Sequence, residues 1–458
     1  MMKLNKTLER VINTTKNVGR VAILASALYM TACTKPIEPI TSDKPEQVVV
    51  KDSLASKPKP TDSIPTPIKP IQYIPSLPVT FFYDKDVNWV SYAPTNFNPN
   101  ISQYPSEQSV RDDFKALIAH NYPAIITYGS DSIFGRFPQI AKSEGIKGFV
   151  MGIWNPTSKE EIKNAIKAKD FVDGYCVGNE GLLNGRYTLQ KLKFVMDSLR
   201  TVTNKPVTTT EPSTTYNDEL KKLGDWIFPN VHPYWSGITN PDSAAKWTKK
   251  QYDNFSANTS RVVIFKEVGL PSAGGNDLSE VNQNQYYNAL EVDMNVSSLL
   301  NMWAFNSHST FFSYFEAFDQ PWKNTNGVES HWGLFDKDRN EKKVLEPQIM
   351  YTNIPAKKTF NDLFGKVRNV IPSQYKTLTY IKVAGDWWVK PYFGSELVTI
   401  APNGSWACDV TTGGYDEEAT TFITYLVTSD FNPTNTDPTQ LPPNKANDKV
   451  KSYVSVNR

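Results

Sequence analysis

Residues 148–180 read GFVMGIWNPTSKEEIKNAIKAKDFVDGYCVGNE. A β-rich apolar run, Gly148–Trp154, is followed by Lys159–Lys169, whose apolar residues recur at helical spacing. A second β-rich run, Gly174–Val177, comes next. Strand, helix, strand with short connections implies two parallel strands joined by a crossover helix. The same texture extends outward in both directions. Further candidate strands are Trp89–Ala93, Ala124–Tyr128, Pro206–Thr210, Trp226–Pro229, Val262–Lys266 and Thr310–Phe315. Further helical stretches are Val110–His120, Leu189–Thr201, Asp242–Asn258 and Gln283–Leu300. Eight strands alternating with helices predict an α/β fold, a (β/α)8 TIM barrel over residues 79–350.

Active groups in such barrels sit just beyond the C-terminal ends of the strands. Those junctions here hold Tyr92-Ala-Pro94, Tyr128-Gly-Ser130, Trp154-Asn-Pro156, Gly178-Asn-Glu180, Thr210-Glu-Pro212, Asn230-Val-His-Pro-Tyr-Trp235, Lys266-Glu-Val-Gly269 and Phe315-Glu-Ala-Phe-Asp319. Aromatics, amides and carboxylates thus gather at one rim, the set that sugar chemistry needs: rings stack on pyranose faces, amides bind hydroxyls, and two carboxyl groups cleave the bond. Glu180 ends the fourth strand and Glu267 the seventh, on opposite sides of a closed barrel.

Composition narrows the alternatives. The 458 residues carry 49 Lys+Arg against 47 Asp+Glu, a net charge of +2 that lacks the basic excess of a nucleic-acid binder. Aromatics reach 12%, which serves either a sugar cleft or a large core. Three Cys and four His support neither a disulfide scaffold nor a Cys- or His-rich metal site. Neither a G-x-S-x-G elbow nor a G-x-G-x-x-G or P-loop pattern occurs, so neither a serine hydrolase nor a nucleotide-cofactor enzyme is supported.

Five stretches in order carry a family resemblance: Val177-Gly-Asn-Glu180, His232-Pro-Tyr-Trp235, Lys266-Glu-Val-Gly-Leu-Pro-Ser272, Tyr314-Phe-Glu-Ala-Phe-Asp-Gln-Pro-Trp-Lys323 and Val328-Glu-Ser-His-Trp-Gly-Leu-Phe335. The chain resembles glycoside hydrolase family 17, the β-1,3-glucanases of the large (β/α)8 glycosidase clan, over most of residues 85–345. The resemblance implies Glu180 as acid/base, Glu267 as nucleophile, and Asn179 as the amide that binds the sugar 2-hydroxyl. It implies Tyr234 as a group that orients or discharges Glu267, and Trp322, Lys323 and Glu329 as cleft residues near the eighth strand. Tyr92, Tyr128 and Trp235 complete the expected substrate-binding rim. Gln320 departs from the family, whose members often carry Glu there. The implied chemistry is retaining hydrolysis of laminarin-like β-1,3-glucan, with endo attack favoured, no metal, no cofactor, and a monomeric enzyme. A glucanosyltransferase and a glucan-binding lipoprotein that does not cut are the alternatives; keeping both Glu180 and Glu267 weighs against the latter.

The flanks are different in kind. Residues 1–20 carry Lys3, Lys6, Arg10, Lys16 and Arg20; an apolar run from Val21 then ends in Met30-Thr31-Ala32-Cys33. A basic segment, a short apolar run and small residues before Cys resemble a bacterial lipoprotein signal. That implies diacylation at Cys33 and an outer-membrane, lipid-anchored protein, on which face being open. Residues 34–78 hold ten Pro and read as a disordered spacer. Residues 346–365 read as a connector, and 351–430 as a small β-sandwich-like module with runs at Asp386–Phe393, Leu397–Ile400, Gly404–Gly414 and Thr420–Val427. Trp387, Trp388, Tyr392 and Trp406 are either a sugar platform or that module's core. Cys176 and Cys408 read as buried thiols, and 431–458 as a flexible tail.

Overall fold

The computed structural model describes residues 77–433 and 447–458, apart from 86, 258, 300–310 and 324–326. The signal segment, Cys33 and the Pro-rich spacer up to residue 76 lie outside the described residues. Strands β1 (Trp89–Ser91), β2 (Ala124–Ile126), β3 (Gly148–Ile153), β4 (Gly174–Val177), β5 (Val207–Thr208), β6 (Asn230–Val231), β7 (Phe265–Val268) and β8 (Phe312–Tyr314) make one parallel sheet. Its order is β5-β4-β3-β2-β1-β8-β7-β6. The two ends meet where Pro212 bridges Asn230 in parallel and the Asn230 N–H donates to the Glu211 carbonyl at 3.1 Å. The sheet is therefore a barrel, as expected.

Eight described helices accompany it: α1 (Phe81–Asp84), α2 (Glu107–Ala119), α3 (Phe137–Glu144), α4 (Lys159–Lys167), α5 (Leu189–Thr203), α6 (Asp218–Leu223), α7 (Pro241–Ser256) and α8 (Glu280–Leu299). Ser106, Ser158, Thr188, Asn217 and Asn240 cap five of them, each side-chain oxygen accepting a backbone N–H of the first turn. Their apolar stripes, with Phe114, Leu117, Ile140, Leu192 and Leu199, pack onto the outside of the sheet. Inside, Phe81 and Phe82 of α1 touch both Trp89 and Trp226, plugging the N-terminal end of the barrel. A Cβ on Gly148 would stand 2.6 Å from the Trp89 ring, which is why that position is bare. Much of the aromatic surplus is thus core.

Three expectations shift. The sixth strand lies at Asn230–Val231 rather than 226–229, where only Ile227 bridges Val263. The seventh is Phe265–Val268, which seats Glu267 within the strand. Helices α3 and α6 escape periodicity because each spans two turns or so; Gly145, at φ 94°, ends α3.

The C-terminal module is a sandwich of two antiparallel sheets. One is β14 (Ser405–Cys408), β10 (Leu363–Arg368), β9 (Gln348–Asn353); the other is β12 (Asp386–Lys390), β11 (Tyr375–Val383), β15 (Thr421–Thr428), β16 (Val450–Asn457), with β13 (Leu397–Thr399) also on β11. Residues 346–365 are therefore not a connector, since β9 and the start of β10 fall there. Residues 450–457 are not a flexible tail: they run beside β15, with Val454 and Val456 packed on the core and Tyr453 and Ser455 outward. That period-2 alternation is the mark of a half-buried strand. Trp406 is 3% exposed between the sheets and belongs to the core, which removes it from any platform. Trp388 and Tyr392 are exposed, whereas Trp387 packs against the cluster around Leu378. Cys176 and Cys408 are free and buried.

The module docks on α8. The Lys366 ammonium meets Glu291 at 2.5 Å, and Glu291 also accepts the Tyr314 hydroxyl of β8. Burial would raise the Glu291 carboxyl, but Lys366, helped by the Tyr314 hydroxyl and Arg368, more than offsets it and holds it below its ordinary range. Its contribution is present above the unfolded carboxylate pKa and is lost as pH falls through the lower folded value. Lys366→Met strands a buried carboxylate and is expected to lower unfolding stability by about 3–5 kcal/mol, read from the urea midpoint at pH 7.

Candidate active site

At the end of β4 the chain turns through Gly178 (φ 78°) and Glu180 (φ 53°). A left-handed non-glycine costs about 1–3 kcal/mol and persists only where its surroundings over-determine it. They do so here. The Glu180 N–H donates to Thr210 O at 3.0 Å, and the Glu180 carbonyl accepts the Asn184 side-chain amide at 2.8 Å. The following loop is pinned from β5: Glu211 accepts the N–H groups of Leu182 (2.9 Å) and Leu183 (3.3 Å). Arg186 donates to the Asn179 carbonyl and lies 4.1 Å over the Trp154 ring. Gly178 admits no side chain, because its Cβ would overlap the Tyr187 hydroxyl. The Glu180 carboxylate, 8% exposed, accepts the Asn230 side-chain amide at 2.8 Å, and Asn230 Oδ1 accepts Thr210 Oγ1 at 2.9 Å.

Asn230 is also the register partner of Glu267 across β6 and β7. The two carboxylates predicted from sequence are therefore brought to either side of one asparagine. Glu267 Oε1 is 2.8 Å from Lys266 Nζ and Oε2 is 3.3 Å from His232 Nε2. Burial pushes the Glu267 carboxyl up, but Lys266 and His232 more than offset it and bring it down to about 2. Asn179 Oδ1 accepts Lys266 Nζ at 2.6 Å, which leaves its NH2 as the donor.

Beyond β8 a second charged group stands over the same mouth. Glu316 is fully buried, and both its oxygens lie 2.9 Å from Lys323 Nζ. Burial lifts Glu316 to about 7 despite Lys323. Glu329 is likewise lifted to about 7, first by burial, against the pull of Lys323 and with Glu316, Glu180 and Glu267 adding to the rise. Glu316 was given no role from sequence, although a Glu within an aromatic run such as Tyr314–Phe318 signals a buried acid in need of a cation. Asn230, Glu211, Lys266 and His232 likewise carry no role that their sequence positions announce.

Among the expected binding residues the structure separates several. Tyr128, 8% exposed, has the Lys266 ammonium 4.1 Å from its ring centroid and packs with Trp154, Phe315 and Trp332. Tyr234 and Trp235 sit in the short helix after β6, 6.2 and 6.4 Å from the Trp332 ring. Tyr234 does not bond Glu267; among the described residues His232 and Lys266 do. Tyr92 is not a rim residue. It is 1% exposed, its ring lies against Phe114 and Phe137, and its hydroxyl donates to Asp113 at 2.8 Å, because the strand's alternation turns it outward under α2 and α3. Trp322 packs edge-on against Phe97 and donates to Gln320 Oε1 at 2.8 Å. Gln320 in turn donates to the Ala93 carbonyl at 3.1 Å. An ionised Glu could not supply that bond, so the amide serves as a clamp between the segment after β1 and Trp322.

A model of the BtgE/BtgC glycoside hydrolase domain matches residues 90–333. "Probable glucan endo-1,3-beta-glucosidase btgC" of Aspergillus terreus is 29% identical over 228 residues, 43% of this chain and 35% of that protein. Glucan endo-1,3-beta-glucosidase btgC of Emericella nidulans is 27% identical over 230 residues, with 43% and 35% covered. A solved β-1,3-glucanosyltransferase of Rhizomucor miehei in complex with laminaritriose is 23% identical, with a TM-score of 0.47 over 57% of this chain and 97% of that one. The chain spans about a third of the length of these curated relatives. With more than half of its residues matched, the chain belongs to the BtgE/BtgC glycoside hydrolase domain family.

Proposed function

We propose that the protein is a retaining endo-β-1,3-glucanase acting on laminarin-like glucan. The observation that carries this reading is the pair of buried carboxylates on either side of Asn230, one of them tied to a lysine. Glu267, held ionised, attacks the anomeric carbon; the bond from that carbon to the glycosidic oxygen breaks, and Glu180 gives its proton to the departing oxygen. Glu180, now a base, takes a proton from water, which attacks the glycosyl ester, releases the sugar and restores the Glu267 carboxylate. The Asn179 NH2 is placed to donate to the sugar 2-hydroxyl, and Tyr128, Tyr234, Trp235, Trp322, Lys323 and Glu329 line the glucan's path. Cys33 anchors the chain through lipid to the outer membrane, with the Pro-rich segment as spacer, and the enzyme works as a monomer.

Product analysis tests this. The full chain is incubated with linear β-1,3-glucan and with laminarin, and products are followed by chromatography. Short β-1,3-oligosaccharides are expected. Products longer than an added β-1,3-oligosaccharide would instead make the protein a transferase, and binding without turnover would make it a glucan-binding lipoprotein.

A further inference from the structure

Between Glu267 and Asn179 sits the ammonium of Lys266. Lys266 is 1% exposed. Its ammonium reaches Asn179 Oδ1 at 2.6 Å and Glu267 Oε1 at 2.8 Å, and lies 4.1 Å from the centroid of the Tyr128 ring. A lysine is almost never buried to this degree unless its charge is paired. Here the pairing joins β7 to the turn after β4, the two segments that carry the carboxylates. We propose that Lys266 is a positioning residue of the reaction: its buried ammonium clamps Glu267 to Asn179, holds the nucleophile as an oriented anion, and turns the Asn179 amide so that its N–H groups face outward from the clamp. This rests on the reading of Glu267 as nucleophile.

The surroundings of Glu267 leave this task to few groups. From the end of β6, His232 makes the longer contact of 3.3 Å. From β8 and the segment after it, Glu316 and Glu329 face it with like charge. Cys176 of β4 also feels both Lys266 and Glu267, and Glu180 stands beyond Asn230. Glu316, Glu329 and Glu180 disfavour a further anion here, Lys323 is taken up by Glu316, and burial too works against the Glu267 charge. Lys266 has the shorter contact, and its charge does more than His232 to lower the Glu267 carboxyl. The clamp also bears on the second step. Once Glu267 is an ester, the buried ammonium loses its counter-charge and keeps the Asn179 oxygen and the Tyr128 ring face. Regenerating the carboxylate restores the pair, so Lys266 favours the departure of Glu267 from the sugar.

The test uses a 2-deoxy-2-fluoro-β-laminaribiosyl fluoride, whose fluoride leaves with little help from the acid, so its inactivation rate follows the ionisation of the nucleophile. Fluoride departs as Glu267 bonds to the anomeric carbon, and mass spectrometry of the labelled peptide identifies the residue. In the wild type the rate is expected to stay flat as pH falls from 7 to about 4, since an opposite charge close by lowers a carboxyl by about 1–3 units. In Lys266→Met the acid limb moves up by about 1–3 pH units. Lys266→Arg keeps the charge and is expected to keep the wild-type limb at a reduced rate. Thermal melts establish that each variant is folded, and Lys266→Gln replaces the Met variant should that one not fold. A label on Glu267 with superimposable acid limbs in wild type and neutral variants overturns the proposal alone. A label on another residue overturns the assignment of the nucleophile itself.

Discussion

Glu267→Gln is expected to lower kcat on laminarin by about 10⁴–10⁶-fold, the scale on which removing a member of a covalent catalytic set acts. The amide is nearly the same size; its oxygen can accept from the Lys266 ammonium and its NH2 can donate to His232 Nε2, so the barrel should remain folded. What it lacks is the anion that forms the glycosyl ester and balances the positive charge on the anomeric carbon. Glucan affinity should change little, because stacking on the rim does not depend on that charge. Added azide should restore turnover in Glu267→Ala with formation of the glycosyl azide of inverted configuration. Activity within tenfold of wild type in Glu267→Gln would place the nucleophile elsewhere, and Glu316 and Glu329 are other buried acids that feel the charge of Glu267.

Glu180→Gln should show a divided effect. On laminarin, whose leaving group is a poor one, kcat/KM is expected to fall by about 10²–10⁴-fold. On a laminaribioside with an activated aryl leaving group, the first step needs no proton, so kcat/KM should be nearly retained while kcat falls. Water then meets an intermediate with no base beside it, and a burst of aryl alcohol followed by a slow steady state should appear. Equal losses on both substrates would deny Glu180 the acid's part. The conformation of Glu180 sharpens the test, since the bonds from Thr210 and Asn184 that hold its left-handed backbone involve main-chain groups of residue 180 and survive the substitution.

Most of the barrel was legible in residues 148–180 and their echoes. A strand buried on both faces must be apolar throughout and a crossover helix must carry its apolar residues at helical spacing, so the period of each segment announces its place. The places of Glu180 and Glu267 at strand ends can be counted along the chain, whereas their parts in the reaction are implied only by the resemblance of the stretches around them. The short elements were not. A two-residue β6 has no periodicity to read, and β16 carries its alternation in a segment that follows a Pro- and Asn-rich stretch.

What the chain order by itself determined was the alternation of strand and helix, the rim on which the polar groups gather, and the placing of Glu180 and Glu267 at that rim. Tertiary structure alone decided their partners. Tyr92 and Tyr128 occupy equivalent strand ends in the sequence, yet one serves Asp113 in the core and the other lies beneath the Lys266 ammonium. Lys266 and Asn179 stand 87 residues apart, as Glu180 and Asn230 stand 50 apart. Such pairings, and the carboxyl ionisation they set, depend on distances across the closed barrel. Electrostatic energy falls with separation in space and is indifferent to separation along the chain.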